Sequence, residues 1–154
     1  MIVLTRKVFD SFKFIKAVKH IKPLNTPGTL FKIFLQRILF SYPNIRNLIK
    51  VKHGKVNSIC YIIDKKLAYI SDVSKINEKD YKYFKNLNYL IIDCLWYRYH
   101  PSHLNLENSL RFINLFKPKK AILTNLHSDL DYGRLKRILP KHIVPAYDGL
   151  TINL

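Results

Sequence analysis

Apolar and polar positions along this chain fall into three successive textures, each predicting a different kind of element. Over residues 8–21, VFDSFKFIKAVKHI, the apolar residues Val8, Phe12, Ile15 and Val18 recur at helical spacing with lysines between them, which predicts a basic amphipathic helix. Pro23 and then Asn25-Thr26-Pro27-Gly28 end that pattern and lead into TLFKIFLQRILF, a second helix whose apolar face is too wide for solvent. Such helices need a surface to pack on, either the remainder of the chain or a membrane surface.

From Asn44 the pattern shortens into strand-like runs, NLIKVKH, VNSICYII and LAYISD, with Lys55 and Asp64-Lys65 where turns belong. These predict three antiparallel neighbours. A polar helical stretch, NEKDYKYFKNL, separates them from the apolar strand YLIIDC. NLENSLRFINLF then reads as a helix capped by Asn105, with Leu106, Leu110, Ile113 and either Leu115 or Phe116 turned inward. The strand AILTN, the helix YGRLKRIL capped by Asp129 or Asp131, the segment IVPAYDG and a last strand LTINL complete the chain. Strands first antiparallel and then alternating with helices predict an α/β sheet. Residues 89–94 and 120–125, apolar at nearly every position, are expected as its adjacent central strands, covered on both faces. The chain thus divides into a basic helical segment, 1–45, and an α/β unit, 46–154.

Length and composition narrow the class. At 154 residues with 48% hydrophobic content the chain is long enough for one cored domain and too apolar for disorder. Cys60 and Cys94 both lie inside apolar runs and read as small core residues, not as a disulfide or metal pair. No apolar run approaches the about 18 to 20 residues that span a bilayer, and lysines are scattered through the N-terminus where a signal peptide would need an apolar core. The expected location is therefore cytoplasmic. The net charge of +17 is concentrated early: up to Ile63 there are 12 Lys/Arg against the single acid Asp10. A field of this sign favours anionic partners such as phosphates, nucleic acid or anionic lipid, and is silent about fold.

Candidate chemistry gathers at the ends of the predicted strands. His53 follows NLIKVK, Asp72 closes YISD, His103 stands in HPSHLNLENSL, and His127 stands with Asp129 and Asp131 in the loop TNLHSDLDY. Imidazole nitrogens and carboxylate oxygens at strand ends are what a Zn²⁺ or Mn²⁺ site on a sheet requires. The loop TNLHSDLDY, at the carboxyl end of a predicted strand, also lies where open α/β sheets place their ligands.

The order of these motifs resembles the C-terminal part of the metallo-β-lactamase-fold hydrolases, in the branch of the carbon–phosphorus lyase accessory phosphodiesterase. The resemblance covers about residues 50–154 and is densest in YISDVS, HPSHLNLENSL, FKPKKAILTNLHSDLDY and PAYDGLTINL. It implies half of an αββα sandwich, preceded here by the two basic amphipathic helices. It also implies that His53 is a ligand of one divalent metal ion, Asp72 a carboxylate bridging two, and His103 a group meeting the substrate phosphate. Many relatives have Thr-His where this chain has Thr124-Asn125, so the remaining ligand position falls to Asn125 or to His127. The family's His-x-His-x-Asp-His cluster has no counterpart in these residues, in which no two histidines are separated by one residue. Two protein ligands per ion then remain, His53 with Asp72 and Asp72 with His127, fewer than the three or four that hold zinc.

The expectation is thus a truncated or split phosphodiesterase-like hydrolase, inactive and weak in metal binding by itself. A separate chain carrying the missing half, or a homo-oligomer, would cover the bare sheet face. The substrate of a completed site would be a phosphate-containing small molecule. The alternative is a basic binding module on an α/β scaffold, contacting nucleic acid or an anionic membrane surface. No RNA- or DNA-binding motif accompanies the charge.

Overall fold

The computed structural model describes residues 2–4 and 45–153. In chain order the elements are β1 (Ile2–Leu4), β2 (Ile45–His53), β3 (Val56–Ile63), β4 (Leu67–Ile70), a 3-10 helix (Glu78–Tyr83), β5 (Tyr89–Asp93), α1 (Leu106–Phe116), β6 (Lys120–Thr124), α2 (Tyr132–Ile138), β7 (Ile143–Pro145) and β8 (Leu150–Ile152). Strands β2 to β7 form one six-stranded sheet in sequence order, and β1 pairs with β8 in a second, two-stranded sheet.

The three early strands are antiparallel neighbours, as their turn residues predict. Asp64 and Lys65 both take positive φ, 51° and 56°, to reverse the chain between β3 and β4. From β4 onward the pairing is parallel, and β5 and β6 are adjacent from Tyr89↔Lys120 to Asp93↔Thr124. Two antiparallel steps leave β2 running in the same direction as β4. The carboxyl ends of β2, β4, β5 and β6 therefore all emerge at one edge of the sheet, the edge that bears the candidate residues.

Both faces of the central strands are covered, for the reason their sequence gives: neither parity of β5 or β6 is polar. Leu90, Ile92, Ala121 and Leu123 join the larger core with Ile113 and Phe116 of α1 and Leu135 of α2. Ile91 and Ile122 face the other way and pack with Leu67, Leu150 and Ile152. Cys60 and Cys94 are buried thiols within the larger core. Burial pushes the Cys94 thiol up to about 12, so neither reactivity nor metal binding is expected of it.

The Asn105 side chain caps α1 by accepting the Asn108 N–H at 3.0 Å, and Phe116 faces inward while Leu115 stays exposed. Asp131 caps α2, accepting the Arg134 N–H at 2.7 Å. The polar stretch 77–87 forms only a 3-10 turn, with no capping bond from Asn77. Buried Phe84 and Leu87 tie it to the core. Extended structure in IVPAYDG stops at Pro145, because the Leu150 N–H donates to the Tyr147 carbonyl and turns the chain at Gly149, φ 94°. Ile2–Leu4, inside the segment expected to be helical, is a strand antiparallel to β8. The helices expected over 8–21 and 29–40 lie outside the described residues. No helix among the described residues is long and apolar enough to cross a membrane.

Candidate metal centre

His53 ends β2, and Gly54 makes the hairpin turn behind it at φ 58°. Glycine matters here twice. A side chain would resist the left-handed torsion, and its Cβ would lie 2.9 Å from Ser102 Oγ. This close approach brings the end of β2 against the loop carrying His103. The same strand end is laced to the loop after β4, since the Lys52 N–H donates to the Lys75 carbonyl at 3.0 Å and the Ser74 N–H to the Lys52 carbonyl at 2.7 Å. Ser74 Oγ also accepts the Gly54 N–H at 3.0 Å.

Asp72 stands in that loop at φ 54°, a left-handed torsion that aspartate adopts more readily than most side chains. His103 lies in the β5–α1 connection, whose two ends pair back on themselves: Leu95 donates to the Leu104 carbonyl at 2.9 Å and Leu106 to the Trp96 carbonyl at 2.8 Å. The excursion thus returns His103 over the end of β5.

These constraints bring His53, Asp72 and His103 together, with one ligand atom from each lying within 4.8 Å of the others. His53 Nε2 is 3.1 Å from His103 Nε2, and the rings meet edge to face at 4.6 Å. All three are half-buried, so an ion held there would remain open to solvent on one side. Imidazole and carboxylate donors at this spacing fit a divalent metal such as Zn²⁺.

Behind them is Asp93, completely buried at the end of β5. Its Oδ2 lies 2.8 Å from His103 Nδ1 and accepts the Val73 N–H at 3.2 Å; its Oδ1 accepts from Asn125 Nδ2 at 3.0 Å. A buried carboxylate is tolerable because every one of these contacts supplies a proton. The hydrogen bond to Asp93 raises the proton affinity of His103 above the usual 6.5; burial opposes it, and the charges of Asp93 and Asp72 add to it. Sequence reading missed Asp93. Its one sequence signal is an acid set inside the otherwise apolar run YLIIDCLW.

The two candidates for the last ligand position are placed differently. Asn125, at φ 63°, has its amide committed to Asp93 and lying 3.2 Å from His103 Nδ1. His127 is exposed and is not in the His53–Asp72–His103 group. Its ring rests against Trp96 at 5.0 Å and its Nδ1 accepts the Asp129 N–H at 3.3 Å. Asp129 in turn accepts from Trp96 Nε1 at 2.6 Å.

The arrangement of this sheet has counterparts among solved structures. A diphosphatase of the PhnP family is 28% identical, with a TM-score of 0.68 over 73% of this chain and 47% of that one. The chain resembles the PhnP family and carries part of a metallo-β-lactamase fold. The metallo-β-lactamase fold protein YhfI of Bacillus subtilis shares the fold at 19% identity, with a TM-score of 0.56 over 68% of this chain and 47% of its own. Human tRNase Z, short form, does so at 14% identity and a TM-score of 0.52, over 69% and 40% of the two chains. The chain thus spans about half the length of these metallo-β-lactamase-fold proteins. No known family profile and no curated protein sequence matches it.

Proposed function

We propose that this chain provides one half of the active site of a metal-dependent hydrolase acting on a phosphodiester or diphosphate. The observation that carries this reading is the convergence of His53, from the end of β2, with Asp72 and His103, from two separate connections, in a chain similar to a diphosphatase. His53 and Asp72 would hold the metal, which when bound acidifies a water and polarises the phosphoryl group. His103, kept proton-rich by Asp93, would meet the phosphate and donate to one of its oxygens.

The second ion's ligands are weaker in this chain. Asn125 gives its amide to Asp93, and His127 lies against Trp96. The His-x-His-x-Asp-His cluster must come from polypeptide outside these 154 residues. Leu48, Val56 and Ile59, exposed on the β2–β3 hairpin, offer apolar contact for it, in a second chain or an adjoining segment. A homo-oligomer would cover the same surface without supplying the cluster.

The test is complementation. The chain would be assayed on a chromogenic phosphodiester and on a diphosphate with Zn²⁺ or Mn²⁺, alone and with a metallo-β-lactamase-fold polypeptide carrying the His-x-His-x-Asp-His half. No turnover alone and turnover by the pair, lost on Asp72→Ala, is the expected result. A folded pair that binds metal and hydrolyses neither substrate would contradict the reading.

A further inference from the structure

Asp93 makes His103 an unusually well-directed imidazole, and that direction has a use for this chain by itself. A carboxylate accepts and does not donate, so the 2.8 Å contact with Asp93 Oδ2 puts the ring proton of neutral His103 on Nδ1. The lone pair is then on Nε2, which points at His53 Nε2 only 3.1 Å away. Two imidazole nitrogens this close need a proton or a cation between them. Ligands on a tetrahedral zinc, with bonds near 2.05 Å, stand about 3.4 Å apart, so the pair is already close to coordination spacing. The third donor favours the cation over the proton: the Asp72 carboxylate joins the same group, on a loop held in a left-handed torsion.

We propose that His53, Asp72 and His103 form a single-ion site for Zn²⁺ or a similar divalent transition metal, complete within this chain, in which His103 is a ligand through Nε2. The site rests on the metal-dependent reading above and changes one role in it. His103 serves the ion when no other polypeptide supplies ligands. Three protein donors and one open position are the composition of a catalytic zinc site, so the two-donor count that led to an expectation of weak binding omits His103. Asp93 and Asn125 are the positioning residues. Asn125 Nδ2 anchors Asp93 Oδ1, which leaves Oδ2 to hold both His103 Nδ1 and the N–H of Val73, next to Asp72. One buried carboxylate therefore orients two of the three ligands, the carboxylate–histidine–metal arrangement that tunes affinity.

The experiment uses the full chain, stripped of metal and titrated with Zn²⁺ by calorimetry and with Co²⁺ by visible absorption. One ion per chain is expected, with the intense visible bands of four-coordinate cobalt. His103→Ala should weaken Zn²⁺ binding at least as much as His53→Ala, Asp93→Asn by about 10- to 100-fold, and His127→Ala not at all. Because a variant at His103 also removes the contact that holds its loop to Asp93, histidine ¹⁵N NMR on the unmodified chain supplies an independent reading: zinc should shift Nε2 of both His53 and His103 and leave His127 unmoved. An unshifted His103 with a saturated ion, or no saturable binding, overturns the site. Complementation turnover with His103 unshifted would retain the proposed function and lose this inference; a formed site without turnover would do the reverse.

Discussion

Asp93 Oδ2 and His103 Nδ1 are 2.8 Å apart, with the carboxylate fully buried and the imidazole at the solvent edge. This pair joins the core of the sheet to its candidate chemistry, since Asp93 is the last residue of β5 and His103 lies ten residues on. Its first consequence concerns pH. In the metal-free chain, His103 should titrate above the usual 6.5, chiefly because of the hydrogen bond to Asp93. A raised folded value means that the pair's contribution to stability is fully present below the unfolded value near 6.5 and is lost as pH rises through the higher folded one. Urea unfolding at a series of pH values should show this fall, and Asp93→Asn should flatten it. NMR titration of His103 gives the same answer directly.

Gly54 is predicted to be intolerant of substitution. Gly54→Ala forces a left-handed torsion on an L side chain, at a cost of about 1 to 2 kcal/mol. It also places a Cβ 2.9 Å from Ser102 Oγ. Ser102→Gly in the same chain should relieve the contact but not the torsional cost, so recovery should be partial. Chemical denaturation of the two variants checks this. Full recovery would mean that the torsion is unstrained.

Coverage of the sheet on both faces predicts two costly truncations in one strand. Ile122 and Leu123 are each fully buried, on opposite faces of β6. Ile122→Ala and Leu123→Ala should each destabilise by about 2 to 5 kcal/mol. A small cost for Ile122→Ala alone would show that the face opposite the helices is not packed. Leu48→Ala, at a side chain 62% exposed, should change stability little.

Much of this architecture was legible because hydrophobic parity is a direct record of burial. The doubly apolar runs around Ile91 and Ile122 specified central strands, and Asn105 specified the start of α1. The sequence alone did not reveal Asp93, because a single acid in an apolar run has no periodic signature; its meaning lies in contacts made ten and thirty-two positions away. The Asn125 or His127 choice had the same difficulty. Both lie in one loop, and only the backbone path decides that Asn125 turns to Asp93 while His127 lies on Trp96. The short strand at Ile2–Leu4 was hidden because its partner, β8, is at the other end of the chain.

His53, at the end of β2, and Asp72 and His103, from two separate connections, are proposed to form one metal site. Crystals of the full chain grown with Zn²⁺, and diffraction recorded across the zinc absorption edge, would test it most directly. One anomalous peak is expected, bonded at about 2.0 to 2.2 Å to His53 Nε2, His103 Nε2 and an Asp72 carboxylate oxygen. A peak at His127 with the His53–Asp72–His103 group empty, or no ordered zinc at all, would contradict it.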